Sequence, residues 1–221
     1  MKIDVVFDTV CPWCFIGKRR LSRALSLRPG THAELRWRPF LLNPDMPLEG
    51  MDRAYYLERK FGSSYRVQRI QAAAQLAGEP DGIAFAFDRI AHMPSSMQSH
   101  RLIAWAAAQC PPDQDCASLL VESIYRAFFE QGEDIGDIAV LRRLAEAAGL
   151  SGRAAAAYLA GDAGFSAVES DNSRLHRLGV SGVPCFILNG TYAVSGAQEP
   201  DMLARMIDIA RESDPGGVSA G

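Results

Sequence analysis

Residues 5–21 read "VVFDTVCPWCFIGKRRL", and two of the chain's five cysteines stand three positions apart within them, at Cys11 and Cys14. The preceding run, Ile3 to Phe7, is β-branched and aromatic and predicts a strand. Pro12 suits a first helical turn, where a missing N–H costs nothing. Phe15, Leu21 and Leu25 then follow at roughly helical spacing until Arg28-Pro29-Gly30 stops the helix. The two thiols therefore fall where a strand gives way to a helix.

That placement has chemical consequences. Only a thiolate attacks a disulfide. A helix start offers unpaired N–H groups and the positive end of a dipole, both of which stabilise such an anion. Cys14, one turn on, can close a disulfide with Cys11 or release a substrate bound to it. Cys11 is thus the expected nucleophile and Cys14 the resolving thiol of a redox-active disulfide. Zinc would need further ligands. Cys110 and Cys116 flank "PPDQD" and the four histidines are scattered at 32, 92, 100 and 176. No metal is expected, although a metal pair or a purely structural pair remain readings of an isolated CxxC.

Outward from this stretch, Ala33–Phe40 alternates and predicts a second strand, followed by the Pro- and Gly-rich "LLNPDMPLEG". From Asp52 to about Leu159 the pattern is helical, with candidates at 52–61, 65–76, 99–109, 117–131, 137–148 and 152–159. Asp137 and Ser151 are expected N-caps. A helix is expected over 166–178. Two apolar runs, Cys185–Leu188 and Tyr192–Val194, are joined through Asn189-Gly190 and predict a hairpin. Pro200 opens a last helix over 201–212. The expected organisation is a β/α core, residues 1–45 and 161–212, split by a helical insertion over 46–160. Residues 213–221 form a tail expected to be disordered.

The chain has 221 residues, 48% of them hydrophobic and 22% charged, which is ordinary for a soluble globular protein. Net charge is -3 without like-charge blocks, so neither nucleic acid nor an anionic membrane is an expected partner. The densest basic cluster, "GKRRLSR", predicts a solvated helix face. No apolar run reaches membrane-spanning length. The opening "MKIDVVFD" lacks the apolar region of a secretory leader, so a cytoplasmic location is expected. In that compartment a thiol pair is more often redox-active or metal-binding than structural.

"FDTVCPWCFIGKRRL", followed far downstream by "GVSGVPCFILNG", resembles the thioredoxin-fold proteins of the DsbA family. With "LNP", "SHRLIAWA", "FFEQGEDI" and "VSGAQ" in family order, it resembles more narrowly the FrnE-like branch, cytoplasmic relatives with a large helical insertion. The resemblance implies an α/β thioredoxin fold with a large all-helical insertion and a thiol–disulfide oxidoreductase acting on protein or small-molecule disulfides. It implies that Val183-Pro184 is a cis bond beside the dithiol, where the backbone of Val183 could pair with an extended peptide.

Pro12, Trp13 and Pro184 are then supporting residues. Trp13 stands where strongly oxidising relatives carry His. His100, Ser195 and Gln198 are candidate substrate contacts, the last two because "VSGAQEP" precedes a helix start able to hold an anion. His100 is equally readable as a core or capping residue. Relatives often carry Asn and Ala where this chain has Ser95 and Ser99. Cys185 is expected as a small buried hydrophobe. Cys110 and Cys116 are expected as free thiols, since cytosolic conditions oppose the disulfide that their short loop would allow.

No cofactor beyond the dithiol is expected, with glutathione or another thiol as electron partner. The oligomeric state is left open, a dimer included. Glutathione-dependent isomerases and transferases of the kappa and hydroxychromene-carboxylate isomerase type resemble the same architecture but usually carry a single Ser in place of the CxxC. A non-enzymatic partner-binding module is the third reading.

Overall fold

A computed structural model describes residues 1–111 and 114–213. Strand β1 (Lys2–Phe7) leads into helix α1 (Pro12–Ser26) and strand β2 (Glu34–Pro39). Next come β3 (Met51–Asp52), α2 (Arg53–Phe61), α3 (Ser64–Gly78), β4 (His92–Met93), α4 (Met97–Gln109), α5 (Cys116–Phe129), α6 (Ile138–Ala147), α7 (Gly152–Ala160) and α8 (Phe165–Arg177). The chain closes with β5 (Cys185–Leu188), β6 (Tyr192–Ser195) and α9 (Pro200–Glu212). Residues 214–221 of the expected tail lie outside the described residues.

The main sheet has the order β2-β1-β5-β6. β1 runs parallel to β2 and antiparallel to β5, and β5 and β6 form an antiparallel hairpin. Its turn uses Asn189 and Gly190, both with positive φ, as a tight hairpin turn of this hand requires. The fold is therefore the α/β thioredoxin fold with a helical insertion that the sequence predicts. Within the insertion the only strands among the described residues are β3 and β4, paired in a two-residue ladder.

Side-chain alternation along β1 sorts the core. Ile3, Val5 and Phe7 face one large cluster shared with the insertion helices. Val6 and its register partner Cys185 face the other side, against Phe40 and Leu175. The rings of Phe15, Phe85, Phe87, Tyr125 and Phe129 pack at centroid distances of 5.0–6.3 Å and weld α1 to the insertion. Helix starts are capped as predicted at Asp137, which takes the N–H groups of Ala139 and Val140, and at Ser151, which takes that of Ala154. Arg101 is fully buried. Its guanidinium closes the end of α7 by donating to the carbonyls of Tyr158 and Leu159 and to that of Ala163 beyond.

The basic cluster differs from expectation. It is a set of ion pairs between elements, and little of it is a solvated face. Arg20 is buried, bonded to Asp81 at 2.8 Å and to the carbonyls of Ala77 and Ala197, with Glu199 at 2.6 Å. Lys18 and Arg19 both reach Glu122 on α5. Helical periodicity identifies a polar face; the partners that cover this one lie 57–179 residues away, beyond the reach of any local pattern.

Candidate active site

Cys11 is the N-cap of α1 in extended backbone conformation, with Pro12 beginning the helix. Its N–H donates to the carbonyl of Asp8 at 3.1 Å, which closes the turn between strand and helix. The N–H groups of Cys14 and Phe15 point back to the Cys11 carbonyl. Cys11 and Cys14 are unbonded thiols, 5% and 2% exposed. Beside them Trp13 is 37% exposed.

The second wall comes from the other end of the chain. The Val183-Pro184 bond is cis, as the resemblance implies. Cys11 Sγ lies 3.9 Å from the carbonyl oxygen of Val183. Pro184 packs on α1 at Gly17, where an added Cβ would stand 2.9 Å from Pro184 Cγ. The Pro184 carbonyl takes the N–H of Gly196 at 2.7 Å, so the turn after β6 is held beside the proline. In that turn Ser195 and Gln198 are exposed, and Gln198 Nε2 donates to the Ser195 carbonyl at 2.8 Å.

Beneath the dithiol lies a buried polar group that sequence reading passes over. Asp8 is fully buried. Its carboxylate accepts the N–H groups of Leu42 (2.7 Å) and Val10 (3.3 Å), and His100 Nε2 stands 3.5 Å from Oδ1. The His100 ring is interior, edge-on to Phe7 at 4.9 Å. It therefore braces the floor of the site from α4 and does not line its surface. Ser99, its neighbour, shares a 2.7 Å hydrogen bond with Thr9. From α5, the hydroxyl of Tyr125 donates to the Asp8 carbonyl at 3.2 Å. The one sequence signal for this floor was a carboxylate interrupting an apolar run, Asp8 between Val5 and Val10.

These contacts bear on the protonation of Cys14. Burial pushes the Cys14 thiol well up, and the hydrogen bond and charge of Cys11 push in the same direction. The backbone at Asp8 opposes this more weakly, while the Asp8 charge adds to it. Tyr125 is also pushed well up, chiefly by burial and then by the charges of Cys14, Cys11 and Asp8. Burial thus favours the proton-bearing form of Cys14, a thiol able to donate a hydrogen bond to the sulfur of Cys11.

The remaining cysteines divide. Cys185 is buried on the far side of the sheet, its thiol pushed up by burial. Cys110 and Cys116, expected as free thiols, are joined in a disulfide. The expectation rested on compartment chemistry, whereas the junction between α4 and α5 brings the two Cα atoms to 5.7 Å, inside the range that a disulfide spans. Among the described residues no group of three or more His, Cys, Asp or Glu is arranged to hold a metal ion. No helix among them is long and apolar enough to cross a membrane.

A family model for the DSBA-like thioredoxin domain matches residues 2–208. A probable DsbA oxidoreductase from Streptomyces coelicolor is 28% identical, with a TM-score of 0.84 over 97% of this chain and 91% of its own. The cytosolic disulfide reductase DsbM of Pseudomonas aeruginosa, solved with GSH, is 19% identical with a TM-score of 0.68 over 95% and 98%. A 2-hydroxychromene-2-carboxylate isomerase matches over 100% of both chains at 17% identity and a TM-score of 0.70. The latter two share the fold. With the family model spanning almost the whole chain, the protein is a member of the DsbA-like thioredoxin-domain family.

Proposed function

We propose that this protein is a thiol–disulfide oxidoreductase of the FrnE-like branch in which Cys11 attacks and Cys14 resolves. The observation that carries this reading is Cys11 at the head of α1, its sulfur 3.9 Å from the Val183 carbonyl, with the buried Cys14 thiol within hydrogen-bond reach below it. In the reducing direction the Cys11 thiolate attacks a substrate disulfide, forming a mixed disulfide and expelling one substrate thiolate. Cys14 then gives its proton to the first substrate thiolate and attacks Cys11 Sγ. The second substrate thiolate leaves, and the Cys11–Cys14 disulfide holds the two electrons' worth of oxidation. Asp8, His100 and Tyr125 act as positioning residues for this exchange.

Substrate enters between Trp13 and the exposed Ser195 and Gln198, with Val183 and Pro184 as backbone rest. The reaction needs no cofactor beyond the dithiol, and glutathione or another thiol closes the cycle. A cytoplasmic setting accords with this chemistry. The rival reading, a glutathione-dependent isomerase or transferase, is disfavoured by two cysteines where proteins of that type usually carry Ser.

Insulin reduction driven by a dithiol tests the proposal. Cys11→Ser abolishes turnover and Cys14→Ser accumulates mixed disulfides at Cys11. Retained reduction by Cys11→Ser ends the reading, and glutathione-dependent isomerase or conjugating activity surviving loss of both cysteines favours the rival.

A further inference from the structure

A second sulfur pair lies away from the CPWC site. Cys110 ends α4 and Cys116 begins α5. The side chains bracing the dithiol sit at the opposite ends of these helices. His100 precedes Cys110 by ten positions and Tyr125 follows Cys116 by nine. At 1.5 Å per residue these spans are about 15 and about 14 Å of helix. Direct exchange between the Cys110–Cys116 and Cys11–Cys14 pairs is therefore out of reach within one chain.

The pair opens onto a different surface. Cys110 and Cys116 line a groove of about 1630 Å³ that runs along the outer edge of β2, bounded by Ile103 and Ala107 of α4 and Val168 of α8. No residue of the CPWC site lines it. The two sulfurs are not equivalent. Cys116 is 2% exposed, whereas Cys110 is partly exposed. The N–H of Cys116, in the first turn of α5, points at Cys110 Sγ at 3.0 Å. The N-cap carboxylate of Asp115 is already taken by Ser118 N–H. A Cys110 thiolate would keep this helix-start N–H as its partner, which favours it as a leaving group, while the Gln114 carbonyl 3.2 Å away would take the proton of the Cys110 thiol as a hydrogen bond.

We propose that Cys110–Cys116 is a second redox couple of this protein, opened and closed by small thiols of the glutathione class that enter the groove along β2. The thiolate of the small molecule attacks the accessible Cys110 Sγ, the S–S bond breaks, and its electron pair goes to Cys116, which takes up a proton. A second small thiolate attacks the sulfur of the first, and Cys110 leaves as a thiolate beneath the Cys116 N–H. Two small thiols are oxidised to one disulfide as the protein disulfide is reduced to two thiols. Opening frees the last turn of α4 from the first turn of α5.

The test uses the full chain carrying Cys11→Ser and Cys14→Ser, so its outcome is independent of how the CPWC pair behaves. The protein is equilibrated with mixtures of reduced and oxidised glutathione, quenched with acid, alkylated and analysed by peptide mass. Labels on Cys110 and Cys116 are expected to rise together from none to two across the mixtures. Adding Cys116→Ser is expected to leave a glutathione adduct on Cys110. A pair that stays closed in reduced glutathione alone, a pair that stays open in oxidised glutathione alone, or an adduct confined to Cys185 overturns the proposal. The same labelling in the unaltered chain, resolved peptide by peptide, keeps the result decisive if a variant folds poorly.

Discussion

Gly17 and Pro184, 167 residues apart in sequence, meet so closely that a single methyl group on Gly17 would stand 2.9 Å from Pro184 Cγ and 3.2 Å from the Phe186 ring. Helix α1 can approach the proline only because this position carries no side chain. The distance from Cys11 to the Val183 carbonyl is set by that approach.

Gly17→Ala therefore acts against its own helix preference. Alanine favours a helix interior by about 1 kcal/mol over glycine, while overpacking a tight contact costs about 1–3 kcal/mol. A net loss of about 1 kcal/mol, or roughly 2–4 °C in Tm, is expected, together with a fall in insulin reduction as α1 shifts from Pro184. Gly30→Ala, where nothing lies within 4 Å of the added Cβ, is the control and should not lower Tm. Equal melting of the two variants in thermal denaturation would remove the contact from the account.

Asp8→Asn keeps the shape of the buried carboxylate but turns one acceptor into a donor. Oδ1 and Oδ2 both face backbone N–H groups, from Val10 and Leu42. One of these is then opposed by an NH2 group in the interior, at about 1–3 kcal/mol. Urea titration should show the loss as a lower midpoint with an unchanged slope. An unchanged midpoint would mean that the carboxylate is not what holds the loop at Leu42.

Alkaline pH should weaken the reduced protein through Cys14. An unfolded thiol ionises near about 8.5. Folded Cys14 holds its proton to higher pH because burial, then Cys11, disfavours its anion. This contribution to stability is fully present below the unfolded value and is lost as pH rises above it, at up to about 1.4 kcal/mol per pH unit. Cys185 and Tyr125 shift in the same direction, so the informative quantity is a difference between two proteins. Between pH 8 and 10 the Tm of the reduced protein should fall more steeply than that of reduced Cys14→Ser. Parallel curves would show that Cys14 does not carry the effect.

Arg20→Met removes the buried cation that joins α1 to Asp81 and to the carbonyls of Ala77 and Ala197. Asp81 keeps only Arg23, whose side chain is more than half exposed. Breaking such a pair from one side costs about 3–5 kcal/mol. The double change Arg20→Met with Asp81→Leu should recover much of that, since no buried carboxylate is left short of a partner. Equal losses in the single and double variants, measured by denaturant unfolding, would count against a buried ion pair as the cause.

Much of this architecture is legible locally. The strand before Cys11, the hairpin at Asn189-Gly190 and the caps at Asp137 and Ser151 depend on residues a few positions apart, and all lie where the sequence predicts. The dithiol and Pro184 stand out because their residue types are rare and their chemistry is narrow. What stays hidden is whatever needs a partner from far away. The polar face of α1 reads as solvated until Asp81, Ala197 and Glu122 are folded onto it. Asp8 reads as an interruption of a strand until Leu42, His100 and Tyr125 surround it. His100 is ambiguous by itself, and only its place against Phe7 sets it in the floor of the site and not on its rim. Compartment chemistry alone leaves Cys110 and Cys116 apart, while the approach of the end of α4 to the start of α5 decides their distance.

The strand order β2-β1-β5-β6 has a consequence for synthesis at the ribosome. The vicinal sulfurs leave the exit tunnel early, with β1 and α1, but β5 and its proline follow about 170 residues later. At roughly 5–20 residues per second the interval is on the order of ten to thirty seconds. Throughout it the nascent sulfurs have neither their covering loop nor the neighbour strand that completes β1, so a newborn chain offers bare nucleophiles to the cell well before it can discriminate among visitors.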